Sequence, residues 1–170
     1  MDFLLTTKRL GLRPLQPDDA PYFFQLNEDP EVLRYTGDLP FADVEAARQF
    51  LKQYDQYERY ACGRFAVLRL SDSAWLGWCG LKYKPEVEQT DIGFRFFRRH
   101  WGQGYATEAA EACLAYGLET LGFPTIVGRA MQANHASIRV LEKIGMRFVE
   151  GILFEGEAGV LYETPIVPPV

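Results

Sequence analysis

The sequence predicts an α+β fold built on a mixed, mostly antiparallel central sheet of about seven strands flanked by helices. The middle of the chain carries apolar, β-prone runs between turn-forming residues, the last with Ile92, Phe94 and Phe96 on one face. Segments before and after that stretch instead repeat with helical spacing. The elements follow the order strand, three helices, three strands, helix, strand, helix, two strands, which is neither a strict βαβ alternation nor all-β.

Leu10 and Leu12, set among polar residues, predict an opening strand near 8–14. Pro17-Asp18-Asp19 then starts a helix, because proline suits the first turn and acids favour its positive end. Asp29-Pro30-Glu31 starts a second, short one. Residues 43–60 carry Val44, Ala47, Phe50, Leu51 and Tyr54 at helical spacing behind Asp43. Arg64 to Leu70 and Trp75 to Tyr83 read as a hairpin about Ser71-Asp72-Ser73. Thr90 to Phe97 is a third strand, with Ile92, Phe94 and Phe96 on one face.

Residues 105–121 give the clearest helix, stopped by Gly122 and Pro124. Thr125 to Met131 is a strand. Residues 134–144 form a helix with Asn134 as N-cap and Gly145 as terminator. Arg147 to Phe154 and Val160 to Ile166 form a final hairpin about residues 155–159.

A chain of 170 residues with 48% hydrophobic and 24% charged side chains reads as one globular domain, residues 1–170. Its net charge of −5 argues against a general nucleic-acid binder, which is usually basic. Cys62, Cys79 and Cys113 lie far apart and form no C-x-x-C pair, so neither a disulfide framework nor a zinc site is expected. No segment reads as a signal peptide or a membrane span, and the chain is expected to be cytoplasmic, with no membrane partner.

Arg98-Arg99-His100-Trp101-Gly102-Gln103-Gly104-Tyr105-Ala106-Thr107-Glu108 carries the most information about function. Glycines let a backbone turn tightly and come close to a ligand. The helix start that follows offers unpaired N–H groups and the positive end of the helix dipole. Together they make a cradle for an anion such as a pyrophosphate. A dinucleotide fingerprint wants a third glycine where Thr107 stands, and a P-loop wants Gly-Lys-Ser/Thr, which is absent.

Three motifs then resemble a known family: Asp91-Ile92-Gly93-Phe94, Trp101 to Ala109, and Asn134-His135-Ala136-Ser137 through Gly145-Met146. In order and spacing they resemble the GNAT superfamily of acyl-CoA-dependent N-acyltransferases. Arg9 to Leu15, Asp18-Asp19-Ala20 and Asp29-Pro30-Glu31-Val32 are similar to its ribosomal-protein alanine N-acetyltransferase branch. The resemblance spans about residues 6–166. It implies a sheet splayed between strands 90–97 and 125–131, with acetyl-CoA in the gap as co-substrate, no metal, and an amine as acceptor. A homodimer is common in such families.

The resemblance also implies site residues. Arg99, Gly102, Gln103, Gly104, Tyr105, Ala106 and Thr107 would hold the pyrophosphate. The backbone of Phe94, Arg95 and Phe96 would pair with the pantetheine arm, Asn134 would bind that arm from the other side, and Arg139 or Lys143 would reach a CoA phosphate. Many members place a tyrosine near Ser137 as general acid; here Ser137 occupies that region. The strand acid, often glutamate, is Asp91 here. As the acceptor of the amine proton it competes with Glu155, Glu157 and bulk solvent. Asn134 and Ser137 also have purely local uses, as cap and first-turn residues. Tyr35 and Phe41 suit a core or cleft wall, and the helix-to-helix loop there is alternatively placed to line an acceptor pocket. A protein N-terminus, a polyamine, an aminoglycoside and a free amino acid all remain open as acceptors, as does a non-catalytic acyl-CoA-binding module.

Overall fold

The computed structural model describes residues 1–166. One sheet of eight strands organises it: β1 (Leu5–Thr6), β2 (Leu10–Pro14), β3 (Arg64–Arg69), β4 (Trp75–Lys84), β5 (Gln89–Phe96), β6 (Val127–Met131), β7 (Arg147–Phe154) and β8 (Glu157–Glu163). The spatial order is β1-β2-β3-β4-β5-β6-β8-β7. Every neighbouring pair is antiparallel except β5–β6. The additional strand is β1, whose two residues pair with Gly11 and Leu12. It is too short to carry a periodic signal.

The helices are α1 (Ala20–Leu26), α2 (Pro30–Leu33), α3 (Val44–Lys52), α4 (Gln56–Tyr60), α5 (Tyr105–Ala115) and α6 (His135–Lys143). Asp29 and Asp43 cap α2 and α3, accepting from the N–H groups of Glu31 at 3.0 Å and Ala46 at 2.7 Å. Such caps are worth about 1 kcal/mol each. Asp19 instead ends a single 3₁₀ turn and forms a two-pronged ion pair with Arg13 at 2.7 and 2.8 Å, pinning the start of α1 to β2.

Residues 43–60 do not make one helix. The chain breaks after Lys52, and two tyrosines beyond it serve β3: Tyr54 Oη accepts from the Arg64 N–H at 3.0 Å, and Tyr57 Oη donates to the Arg64 carbonyl and accepts from the Leu15 N–H. Tertiary hydrogen bonds override the helical period here. The predicted 105–121 helix also changes character, passing at Tyr116–Thr120 into a π-helical turn. The last hairpin is tighter than expected. Glu155 and Gly156 alone make the turn, at φ of +49° and +79°, so β8 starts at Glu157 and stops at Glu163. Two consecutive left-handed residues match the twist of a hairpin.

Two apolar clusters lie on opposite faces of the sheet. One, with Leu10, Leu76, Cys79, Leu81, Ile92 and Phe96, packs under α5. The other, with Phe23, Leu26, Ala47, Leu51, Ala66 and Trp78, packs under α1 and α3. All three cysteines are buried and unbridged. Among the described residues no helix is long and apolar enough to cross a membrane.

The feature that positions the site is the β5–β6 junction. Only Asp91↔Val127 and Ile92↔Gly128 are paired. Beyond them the strands part, and the edge of β5 facing β6 is unpaired from Gly93 onward.

Candidate active site

Two cavities meet where β5 and β6 part. One, of about 470 Å³, lies between the sheet, the 35–41 loop and the β7–β8 turn. The other, of about 530 Å³, runs along the start of α5 and one side of α6. They share Tyr35, Thr36, Phe94, Arg95, Asn134 and Ser137. A molecule lying in the second cavity would therefore present its end to the first beside Phe94 and Ser137.

The second cavity contains the glycine loop. Gly102 and Gly104 have φ of +74° and +82°, a region that side-chain-bearing residues avoid. The first main-chain bond of α5 runs from the Glu108 N–H to the Gly104 carbonyl, at 3.0 Å. The N–H groups of Tyr105, Ala106 and Thr107 thus have no acceptor within the helix, and no side chain caps Gly104. A Cβ at Gly102 would meet nothing within 4 Å, so ligand space lies open against the backbone. This arrangement suits an anion of pyrophosphate size. Arg139 and Lys143 line the same cavity from α6, and Arg34 lines it from the end of α2.

Arg9 fixes the loop from behind. Its Nη1 donates to the Gln103 carbonyl at 2.9 Å, its Nε lies 2.7 Å from Glu108 Oε2, and its guanidinium sits 4.5 Å from the centroid of the Tyr105 ring. Two of the residues expected at the pyrophosphate point elsewhere. Arg99 lies over Phe97, 4.1 Å from the ring centroid, and the Gln103 side chain donates to the Arg99 carbonyl. Neither side chain lines the cavity. His100 does line it, with its Nε2 buried and without a hydrogen-bond partner among the described residues. Burial, then Arg99 and Arg69, pushes the His100 imidazole below its ordinary value.

On β5, Phe94 and Arg95 border both cavities, while the Phe96 carbonyl is taken by Trp101 Nε1 at 2.8 Å. The free edge of the strand is therefore centred on Gly93–Arg95. Asn134 Oδ1 accepts from the Ser137 N–H at 3.3 Å, so the cap is present, and the same residue faces both cavities. Ser137 stands at their junction.

In the first cavity, Asp91 Oδ2 is 3.2 Å from Lys84 Nζ and 3.2 Å from Arg129 Nη1. Arg95 donates to Asn27 and forms an ion pair with Asp38 at 2.8 Å. Glu155 also lines this cavity, with its side chain against Gly37; Glu157 does not. Tyr35 and Phe41 are part of the wall, as expected.

Lys82, Arg129 and Arg64 line the first cavity, and no sequence motif marks them. A signal for Arg64 was present. Period two puts it on the same face as buried Ala66 and Leu68, where a charge is out of place unless it serves a site.

Comparisons with known proteins agree with this geometry. A family model described as "Acetyltransferase (GNAT) domain" matches residues 9–147. The chain is 37% identical over 152 residues to the uncharacterized protein YkkB of Bacillus subtilis, covering 87% of each chain. It is 30% identical over 148 residues to the spermidine N(1)-acetyltransferase of Escherichia coli K12, covering 84% of this chain and 74% of that one. A solved GNAT-family acetyltransferase from Bacillus anthracis superposes with a TM-score of 0.80 at 26% identity, over 94% of this chain and 96% of that one. Since the family match runs through both the glycine loop and the Asn134 cap, this chain belongs to the GNAT acetyltransferase family.

Proposed function

We propose that the protein transfers the acetyl group of acetyl-CoA directly to a primary amine, with both substrates bound at once. The meeting of two cavities at Phe94 and Ser137 carries this reading, because it gives donor and acceptor separate entrances and one point of contact. Acetyl-CoA, the co-substrate, supplies an activated thioester. Its pyrophosphate is assigned to the N–H groups of residues 102–107, and its outer phosphate to Arg139 or Lys143. Its pantetheine arm is assigned to the free edge of β5 on one side and Asn134 on the other.

Direct transfer makes three demands on the chain. The carbonyl oxygen must be steadied as it gains charge, and the unpaired N–H groups of β5 near Phe94 serve there. The departing sulfur needs a proton or a hydrogen bond, and Ser137 is the hydroxyl at the junction. The attacking amine must lose a proton. Asp91 is already engaged by two cations, which suits it to holding Lys84 and Arg129 in place. Glu155 lines the acceptor cavity without an ion-pair partner among the described residues, and we assign it the amine proton, directly or through water. No covalent enzyme intermediate is needed.

A homodimer is also proposed, through the outer edge of the sheet. On edge strand β7, Phe148 and Leu153 are 58% and 81% exposed. Exposed apolar side chains on an unpaired strand edge favour a partner strand or face.

The test of the enzymatic reading is incubation with acetyl-CoA and a panel of amines, with products identified by mass spectrometry. An acetylated amine is the expected result. Tight CoA binding without an acetylated product from any amine would instead favour a binding module.

A further inference from the structure

The acceptor cavity holds more positive than negative charge. Five cationic side chains line it against three carboxylates. Arg95 is paired with Asp38, and Lys84 and Arg129 share Asp91. Arg64 and Lys82 have no carboxylate within 4.0 Å among the described residues.

Arg64 is the less ordinary of the two. Its guanidinium lies 4.2 Å from the centroid of the Trp78 ring, and its Nε is buried with no hydrogen-bond partner among the described residues. A buried guanidinium N–H without an acceptor is costly, so a native protein that keeps one usually has a use for it. The surrounding sheet leaves its head uncovered. Arg64 pairs across the sheet with Gly80, and Gly80 pairs with Gly93. A Cβ at Gly93 would lie 3.3 Å from Trp78 and 3.7 Å from Arg64 Nη2, so glycine keeps that space open. Gly93 is also the first residue of β5 beyond its pairing with β6, next to Phe94 where the two cavities meet. Burial holds Arg95 below its ordinary value although Asp38 opposes the shift, and the nearby Arg64 charge adds a smaller push in the same direction as burial.

The opposite wall is apolar. Phe23, Phe41 and Phe50 form a triangle with centroids 5.5 to 5.7 Å apart, and all three line the cavity.

We propose that the acceptor is a small amine that also carries a carboxylate and an apolar body, the chemistry of an apolar amino acid, and that Arg64, assisted by Lys82, binds the carboxylate. This rests on the acetyltransferase reading. A guanidinium fork matches a carboxylate with two parallel bonds, here through its two terminal Nη groups. A polyamine would instead bring further positive charge to a cavity that already holds an excess.

The experiment pairs amino acids bearing apolar side chains with the amines left when their carboxylates are removed: leucine with isopentylamine, phenylalanine with phenethylamine. Spermidine is a further arm. Calorimetry on the CoA-saturated protein reads binding, and product mass with acetyl-CoA reads transfer. The amino acids are expected to bind at least about tenfold more tightly than their decarboxylated partners, one charge-assisted contact being worth about 1.5–3 kcal/mol. Arg64→Gln keeps a planar group over Trp78 but removes the charge. It is expected to abolish the amino acids' advantage while leaving the amines and the thermal midpoint unchanged. Three outcomes overturn the proposal: equal or tighter binding by the decarboxylated amines or spermidine, no binding by any amino acid, or unchanged amino-acid affinity in Arg64→Gln. Acetylation of spermidine or the simple amines in preference to the acids would overturn it and leave the acetyltransferase reading standing. Selective amino-acid binding with no acetyl transfer would uphold Arg64 as the carboxylate site but overturn the acceptor role together with the enzymatic reading.

Discussion

Arg9 Nε lies 2.7 Å from Glu108 Oε2, joining the sheet's first strand pair to the first turn of α5 across 99 residues of sequence. The same carboxylate accepts from the Arg9 N–H at 2.9 Å and the Thr7 hydroxyl at 2.6 Å. Glu108→Ala would strand these donors and release Arg9 from the Gln103 carbonyl. The expected cost is about 1–3 kcal/mol of stability, read as a fall in thermal midpoint, together with weaker acetyl-CoA binding from a looser loop. Burial opposes the Glu108 charge, but the bonds from Thr7 and Arg9 outweigh it, so the carboxyl titrates below its ordinary range. A depressed acid stabilises the fold above its unfolded value of about 4.3, and that stability is lost as pH falls through the folded value. Denaturant titrations over pH 3–6 should show this slope in the native chain and a shallower one in Glu108→Ala.

Ser137 borders both cavities, so its hydroxyl should matter to chemistry more than to donor binding. Ser137→Ala is expected to lower turnover on the order of 10²-fold and to leave acetyl-CoA affinity nearly unchanged. Its N–H still reaches Asn134 Oδ1, so the α6 cap survives the substitution. Steady-state rates beside equilibrium binding separate the two effects, and an unaltered rate would remove Ser137 from the mechanism.

The chain has two histidines, His100 and His135, which makes the His100 titration easy to follow by NMR. Burial first, then Arg99 and Arg69, holds His100 below the ordinary value. The unfolded imidazole takes its proton near pH 6.5. Native stability is therefore full above that value and declines as pH falls from it toward the folded value, because the unfolded chain binds the proton first. His100→Asn should remove this slope. Acetyl-CoA binding should raise the His100 midpoint, since the pyrophosphate is assigned beside it; an unmoved midpoint would count against that assignment.

Leu153 is the most exposed apolar side chain on β7. If this edge joins two copies, Leu153→Lys should shift the protein toward monomer in light scattering without lowering monomer stability, the side chain being exposed in the isolated chain.

Much of this organisation was legible in the sequence. Apolar, β-prone runs between turn residues marked β3, β4 and β5, and Asn134 and Gly145 marked the ends of α6. Gly102 and Gly104 pointed to the open helix start. The misses have physical causes. β1 has two residues, too few for periodicity. The break after Lys52 depends on Tyr54 and Tyr57 bonding to β3, a contact that local sequence cannot express. The acceptor cavity was the least legible part. Arg64, Lys82, Arg129 and Glu155 come from four different strands or turns and meet only through the sheet order β3-β4-β5-β6-β8. Arg99 read as a phosphate ligand because of its place in the motif, yet Phe97 offers its guanidinium a nearer surface.

The most direct test of the donor assignment is acetyl-CoA affinity, measured by calorimetry, for Gly104→Ala and Gly104→Glu against the native chain. Gly104 sits at φ +82°, so both substitutions carry the same backbone strain. Only glutamate adds negative charge beside the assigned pyrophosphate, on the order of 2 kcal/mol of repulsion at an effective dielectric near 20. The expected result is a modest loss for alanine and a further loss of roughly 30-fold for glutamate. Equal affinities for the two variants would contradict the placement of acetyl-CoA at this loop.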